Sequence, residues 1–123
     1  MRHYYYRMST HEETGIALMQ IGYLFYTMKT YKYGDSVRDR RHFVSERLFY
    51  LGRYTPSFSS KDRITHLRNT IKVAKEMLGL KISIDLKRMV RQSIKDMTAI
   101  LELDFKGRTN ERSRLTRYST VSL

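Results

Sequence analysis

Histidine and carboxylate side chains are the groups in this chain that could hold a metal or transfer a proton. The four histidines, His3, His11, His42 and His66, include no close pair of the kind that forms a His-x-x-x-His zinc site. Cysteine is absent, which excludes disulfides, thiolate metal ligands and cysteine nucleophiles. The sequence also has no glycine-rich phosphate loop and no nucleophile motif. We therefore predict a protein that is not an enzyme and has no cofactor or metal.

The carboxylates have simpler explanations than acid–base catalysis. Glu12 and Glu13 are adjacent at the start of a predicted helix, where negative charge stabilises the helix dipole. Four further acidic residues lie along the last predicted helix, among basic residues that can form ion pairs with them. The acidic residues are Asp85, Asp96, Glu102 and Asp104, and the basic ones are Lys87, Arg88, Arg91 and Lys95.

Basic residues dominate the chemistry of the chain. Its 24 Lys and Arg exceed the 12 Asp and Glu, so the formal net charge is +12 and the pI is about 10.1. A small domain with this charge has the electrostatic footprint of a nucleic-acid-binding protein. The alternatives are a generic basic surface, an acidic protein partner and an anionic membrane.

The positive charge concentrates on the second and third predicted helices and at both ends of the chain. Arg68, Lys72 and Lys75 recur at steps of four and three, which predicts one exposed row that can follow a phosphate backbone. A solvated charged face is the alternative for any such row. The predicted nucleic-acid-binding residues are Arg38, Arg40, Arg41, Arg47, Arg68, Lys72, Lys75, Arg108, Arg112, Arg114 and Arg117.

Two terminal segments lack a helical pattern. Residues 1–8 form a predicted basic arm in which Tyr4, Tyr5 and Tyr6 lie between two arginines. Interleaved basic and aromatic residues suit stacking on single-stranded bases, and docking of the arm on a neighbouring subunit is the alternative. Residues 108–123 are rich in Arg, Ser and Thr and are predicted to form a flexible basic tail.

Four segments with helical periodicity must position the basic residues. The first helix is predicted over residues 9–33 and ends at Gly34, and the second over residues 35–54, before Pro56. Ser59 is the predicted N-cap of the third helix, and Gly79 its left-handed C-cap. The fourth is predicted over residues 83–107. The predicted buried face of the first helix is Ala17, Ile21, Leu24, Met28 and Tyr31.

The connections between these helices are short, so consecutive helices should pack antiparallel. The expected fold is therefore all-α, an up-down-up-down antiparallel four-helix bundle over residues 9–107 with a basic C-terminal tail. The most apolar stretch, residues 15–28, is too short to span a membrane. We therefore expect a soluble, cytoplasmic protein.

Residues 48–101, with the run ERLFYLGRYTPSFSSKDRITHLRNTIKVAKEMLGL, resemble a family of small basic four-helix-bundle proteins. These are the intervening-sequence proteins of ribosomal RNA genes and the accessory variability determinant of diversity-generating retroelements. The resemblance lies in a leucine-rich second helix, a polar loop with a Lys, and a third helix that ends in residues 73–78. The retroelement proteins often have a Gly-Trp segment in the fourth helix, whereas this chain has Thr98 to Leu101 there and no tryptophan.

The resemblance implies a bacterial or phage-encoded protein that forms a homo-oligomeric ring such as a pentamer. Such a ring would bind a reverse transcriptase and its RNA or cDNA through a basic surface. The leading hypothesis is therefore a nucleic-acid-binding accessory protein that contacts the phosphate backbone. The alternatives are a viral or nucleoid protein that coats nucleic acid, located in the virion if viral, and an adaptor whose basic face binds an acidic protein.

Overall fold

A computed structural model describes the backbone of residues 10–109 and the side chains of residues 12–104. The α-helices are α1 (Thr10–Thr27), α2 (Asp35–Arg53), α3 (Ser60–Leu78) and α4 (Ile84–Thr109). Short 3-10 turns at Tyr31–Tyr33 and Thr55–Ser57 precede α2 and α3, and no strand occurs among the described residues. The predicted all-α four-helix bundle is confirmed.

Contacts between neighbouring helices establish their directions. The start of α1 lies against the end of α2, where Gly15 approaches Gly52. The start of α2 is joined to the end of α3 by an ion pair between Arg40 and Glu76. The start of α3 is joined to the end of α4 by a second ion pair, described below. Each consecutive pair is therefore antiparallel, as the short connections predict.

Helices α2, α3 and α4 each contribute one apolar face to the core. Val37, Val44, Leu48 and Leu51 of α2 are all buried. The buried apolar residues recur at three- and four-residue steps on α3 and at steps of four and seven on α4, spacings that keep one helix face inward. They are Ile64, Leu67, Ile71, Ala74 and Met77 on α3, and Leu86, Val90 and Met97 on α4.

The predicted inner face of α1 was partly wrong. Ile21 and Met28 are buried as predicted, but Leu18 and Phe25 accompany them instead of Ala17 and Leu24, which are half-buried. Apolar residues surround α1 on more than one side, so periodicity alone does not identify which side faces the core.

The predicted end of the first helix was also wrong. The helix stops at Thr27 rather than continuing to residue 33, and Tyr31 beyond it is 81% exposed. The hydroxyl of Thr27 donates to the carbonyl of Leu24 at 2.9 Å, and the Met28 amide donates to the Phe25 carbonyl at 3.2 Å. These bonds tighten the last turn, after which the chain forms the short 3-10 turn.

The predicted caps were partly right. Ser59 caps α3, since its hydroxyl accepts from the Asp62 amide at 3.1 Å. Gly79 follows α3 but has φ of −85°, so it is not the predicted left-handed cap. Gly34 has φ of +92°, a backbone conformation that favours glycine, and it separates the 3-10 turn from α2. Gly107 does not end the last helix, because α4 continues through it to Thr109.

Ser83 connects the start of α4 to the turn before α2. Its hydroxyl accepts from the Leu86 amide at 3.1 Å, which caps α4. Its own amide donates to the hydroxyl of Tyr33 at 3.2 Å. Hydrogen bonding from Ser83, first from its side chain and then from its amide, favours the phenolate and lowers the pKa of Tyr33 below the usual value of 10.0.

Helices α1 and α2 pack closely because glycines line their contact. A Cβ on Gly15 would lie 2.6 Å from the Gly52 carbonyl oxygen, and one on Gly22 would lie 3.1 Å from Cβ of Leu48. Gly15 and Gly22 are seven residues apart, so both lie on the same face of α1. Larger side chains at these positions would force the two backbones apart.

None of the helices in the described part of the chain has the length and apolar character needed to cross a membrane.

Candidate nucleic-acid interface

Arg41, one of the predicted binding residues, is turned toward α1. Its Nη1 donates to the carbonyl oxygens of Phe25 at 3.3 Å and Tyr26 at 3.2 Å, and its Nε donates to the hydroxyl of Thr30 at 3.1 Å. Carbonyls at a helix C-terminus lack partners within the helix, and a guanidinium satisfies them well. Arg41 therefore holds the end of α1 against α2.

Arg40 and Arg47 connect α2 to α3. The Nε of Arg40 donates to Oε1 of Glu76 at 2.9 Å, and its Nη1 donates to the Ser36 hydroxyl at 2.7 Å. Arg47 lies over the ring of Phe43, with 4.9 Å between the guanidinium carbon and the ring centre. Its Nη1 also lies 2.7 Å from Nδ1 of His66. In this hydrogen bond the guanidinium donates, so Nδ1 of His66 carries no hydrogen and accepts.

Arg38 remains on the outer surface of α2. It forms ion pairs with Asp35 at 3.1 Å and with Asp39 at 3.7 Å, and its side chain is 56% exposed. The structure therefore does not bring the four predicted arginines of α2 together on one surface. Three have contacts with other helices, and the charge of Arg38 is offset by two carboxylates.

The predicted row on α3 borders a groove between α3 and α4. Arg68, Lys72 and Lys75 are exposed, and they line a depression of about 650 Å³. Its other lining residues come from both helices and include the apolar side chains of Ile71 and Leu101. We call this surface the basic groove; its lining residues are Arg68, Ile71, Lys72, Lys75, Glu76, Thr98 and Leu101.

Helix α4 adds basic residues on the same side. Thr98 lines the basic groove, and Lys87 and Arg91 precede it by eleven and seven residues, so helical periodicity places them on the same face of α4. Lys95 precedes Thr98 by three residues and flanks this face. Sequence analysis assigned Lys87, Arg91 and Lys95 to ion pairs. Their four-residue spacing was the signal that could have predicted a second row of basic residues.

The expected ion pairs of α4 form only in part. Asp85 pairs with Arg88 at 3.2 Å, and Asp96 instead accepts from the side-chain amide of Gln92 at 3.0 Å. Asp104 pairs with a residue of α3. Within residues 12–104, five basic residues near the groove form no ion pair: Lys72, Lys75, Lys87, Arg91 and Lys95.

Two carboxylates lie near the groove. Glu76 lines it, but its Oε1 is bound by Arg40 of α2, which offsets its charge. Glu102 is exposed seven residues after Lys95, so it ends the positive row on α4. The excess positive charge therefore lies between the middle of the α3–α4 pair and the turn that joins the two helices.

A buried arginine fixes the opposite end of this helix pair. Arg63 is 4% exposed, and its Nη2 lies 2.7 Å from Oδ1 of Asp104. Its Nη1 donates to the carbonyls of Thr55 at 3.2 Å and Phe58 at 2.7 Å. One side chain thus ties α4 to α3 and to the loop before α3. The sequence prediction missed this role, because only the fold brings residues 63 and 104 together.

A second depression, of about 630 Å³, lies between α2 and α3. It is lined by aromatic rings such as Phe43 and Tyr50, but also by the carboxylates of Asp39 and Glu46. Its only lysine or arginine is Arg47, which is bound to His66. This balance of charge does not suit a phosphate backbone, whereas the basic groove does.

The other predicted contacts lie outside the described side chains. Arg108 is in the last turn of α4, and its side chain is not described. Arg112, Arg114 and Arg117, together with the arm of residues 1–8, are outside the described residues. Among the described residues, no group of three or more His, Asp or Glu side chains could hold a metal ion.

The fold and the groove together define a strongly basic, all-α four-helix bundle in which five basic side chains near the groove form no ion pair within residues 12–104. No protein-family model, no curated protein and no solved structure matches the chain. The resemblance to the intervening-sequence and retroelement proteins therefore stays a prediction.

Proposed function

We propose that the protein binds nucleic acid through the basic groove and acts as an accessory protein to an enzyme of nucleic-acid metabolism. The observation that carries this proposal is the distribution of charge. Five basic side chains beside the groove form no ion pair within residues 12–104, whereas the four α2 arginines that the sequence predicted as binding residues, Arg38, Arg40, Arg41 and Arg47, are bound to other groups of the protein.

The geometry supports contact with a phosphate backbone. Residues four apart on a helix are about 6 Å apart, so Lys72 with Arg68, and Lys87 with Arg91, can each contact successive phosphates of one strand. Axes of packed helices are about 8–10 Å apart, so the two rows form a single positive surface. Such contacts position a strand without reading its sequence.

The partner enzyme and the assembly are predictions that rest on the resemblance alone. The resemblance predicts a reverse transcriptase as the enzyme and a ring as the assembly. Coating of nucleic acid along its length is the alternative function, and it predicts a complex whose size grows with the length of the RNA or DNA.

The experiment compares two variants that each lose three positive charges. The α3 variant combines Arg68→Gln, Lys72→Gln and Lys75→Gln, all beside the groove. The control variant combines Lys29→Gln, Arg38→Gln and Arg53→Gln, all exposed on the α1–α2 half. Both retain the same net charge, so a difference between them reports the location of binding rather than general electrostatic attraction.

Binding to a fluorescently labelled structured RNA is measured by anisotropy at moderate salt. The α3 variant is expected to bind at least about tenfold more weakly than the unmodified chain, and the control variant less than about threefold. Circular dichroism must show unchanged helicity. Equal losses in the two variants would contradict the proposed location, and no binding by the unmodified chain would contradict the proposed function.

A further inference from the structure

Helix α1 carries an apolar stripe on its outer surface. Ile16 is 43% exposed, Met19 37%, Tyr23 61% and Tyr26 64%. These residues follow each other at steps of three, four and three, the spacing of the contact positions in a helix–helix seam. We call these four residues the α1 stripe. It lies on the outer side of α1 next to α2, because Met19 lies close to Gly52 and Tyr26 packs on Phe49, whereas Ile21 on the opposite side of α1 is buried.

We propose that the α1 stripe binds a second copy of this chain, so that two α1 helices pair antiparallel about a two-fold axis. This inference does not rest on the proposed nucleic-acid binding, because the basic groove lies on α3 and α4.

The charge of α1 argues against a nucleic acid on this face. The helix contains no Lys or Arg in 18 residues, although the whole chain has a net charge of +12. Its only Asp or Glu residues are Glu12 and Glu13, in the first turn. A phosphate backbone would find no cation along this helix. Two strongly positive chains, by contrast, can approach here without placing basic residues of α1 opposite each other.

The order of residues in the stripe makes it self-complementary. Its first half is aliphatic and its second half is aromatic. An antiparallel pair with the two-fold axis at the level of Ile21 sets Ile16 opposite Tyr26 of the second copy, and Met19 opposite Tyr23. Each ring then packs on a smaller apolar side chain, and methionine sulfur in particular packs well against an aromatic ring.

The rings are already ordered in the single chain. Tyr23 and Tyr26 stack with 6.3 Å between ring centres, and Tyr26 packs edge-on against Phe49 of α2 at 6.4 Å. Fixed rings lose little conformational freedom on binding. Because Tyr23 and Tyr26 are 61% and 64% exposed, they present on the order of 250 Å² of accessible surface per chain. This is about a third of the area that one partner buries in an interface of standard size.

The remaining contact area must come from Ile16, Met19 and the polar residues beside them, so we expect a dimer of micromolar rather than nanomolar affinity. An isologous contact of this type closes at two chains, because each copy uses the same surface. It therefore predicts a dimer rather than the ring that the resemblance implies.

Sedimentation equilibrium of the whole chain without nucleic acid, from about 1 to 100 µM, tests the inference. The double variant Tyr23→Gln and Tyr26→Gln is expected to raise the dimer Kd at least about tenfold. The control variant Tyr50→Gln and Tyr54→Gln removes rings that are 52% and 45% exposed at the end of α2, and it should leave the dimer Kd unchanged. Circular dichroism confirms that both variants fold.

Disulfide cross-linking tests the register, since the chain has no cysteine of its own. A mixture of the Met19→Cys and Tyr23→Cys chains should form a cross-linked dimer faster than either chain alone, because the proposed pairing sets these positions opposite each other. Three results would overturn the proposal. They are a monomer at every concentration, a ring or other higher oligomer, and a dimer that persists in the Tyr23/Tyr26 variant.

Discussion

Replacing Asp104 with alanine removes one partner of the buried ion pair between α3 and α4. The Arg63 guanidinium then stays buried, with 5% of its side chain exposed. It loses the carboxylate that accepts hydrogen bonds from both its Nε and its Nη2. Because a buried charge without a counter-charge is poorly solvated, we expect the free energy of unfolding to fall substantially.

The magnitude follows from the contacts that survive. Removing one partner of a buried ion pair costs about 3–5 kcal/mol. Arg63 keeps three neutral acceptors, the carbonyls of Thr55 and Phe58 and the hydroxyl of Ser60. We therefore expect a loss near the lower limit, about 3 kcal/mol. This is a large fraction of the total stability of about 5–15 kcal/mol for a domain of this kind.

Urea unfolding followed by far-ultraviolet circular dichroism measures the change. With a slope of about 1.5–2 kcal/mol per molar urea, a loss of 3 kcal/mol lowers the midpoint by about 1.5–2 M. The matched control is Arg88→Met, which breaks the exposed Arg88–Asp85 pair, with side chains 74% and 89% exposed. This control should change stability by less than about 0.5 kcal/mol.

A loss below about 1 kcal/mol for Asp104→Ala would refute the reasoning, because the pair would then behave like an exposed one. The double variant Arg63→Met with Asp104→Leu provides a second check. It removes both charges together and should be less destabilised than Asp104→Ala alone.

Two further predictions concern the packing of α1 against α2. Gly52→Ala should lower the free energy of unfolding by about 1–3 kcal/mol, because the new Cβ would lie 2.6 Å from the backbone carbonyl oxygen of Gly15 and the helices must separate. Gly79→Ala, where the nearest atom is 3.6 Å away, should change it by less than about 0.5 kcal/mol, as thermal unfolding of both variants will show. Arg41→Gln should lower stability by about 1.5–3 kcal/mol in urea unfolding, because the C-terminal carbonyls of α1 lose a charged donor. The exposed Arg38→Gln should have little effect, and equal effects of the two substitutions would contradict the capping role of Arg41.

The helices that sequence analysis predicted best are those with one apolar stripe and clear end signals. Helix α3 has the Ser59 cap and an apolar residue at every third or fourth position, so its bounds were confirmed. Ile64, Leu67, Ile71 and Ala74 are buried as this spacing predicts, but Met77 is buried in place of the predicted Leu78. Helix α1 was predicted less well, because Ile16, Met19 and their neighbours are apolar on the side away from the core. Hydrophobicity alone does not separate a core face from an exposed apolar stripe.

The candidate site was predictable on α3 and less so elsewhere. Four-residue spacing was enough to predict the exposed row of Arg68 and Lys72. The role of Arg41 was not predictable, because it depends on where α1 ends. The role of Arg63 depends on a contact between residues 41 positions apart, which no local pattern encodes. Long-range contacts of this type decide whether a basic residue is on a binding surface or inside the protein.

The salt dependence of RNA binding tests the central claim most directly. The logarithm of the association constant falls linearly with the logarithm of the salt concentration. Each phosphate contact makes the slope of this line more negative by about 0.7–0.9. The unmodified chain should therefore show a steep negative slope. The α3 variant should lose about 2–3 units of it, and the control variant of equal charge should lose almost none. A slope that falls equally in both variants would contradict the assignment of the basic groove as the nucleic-acid interface.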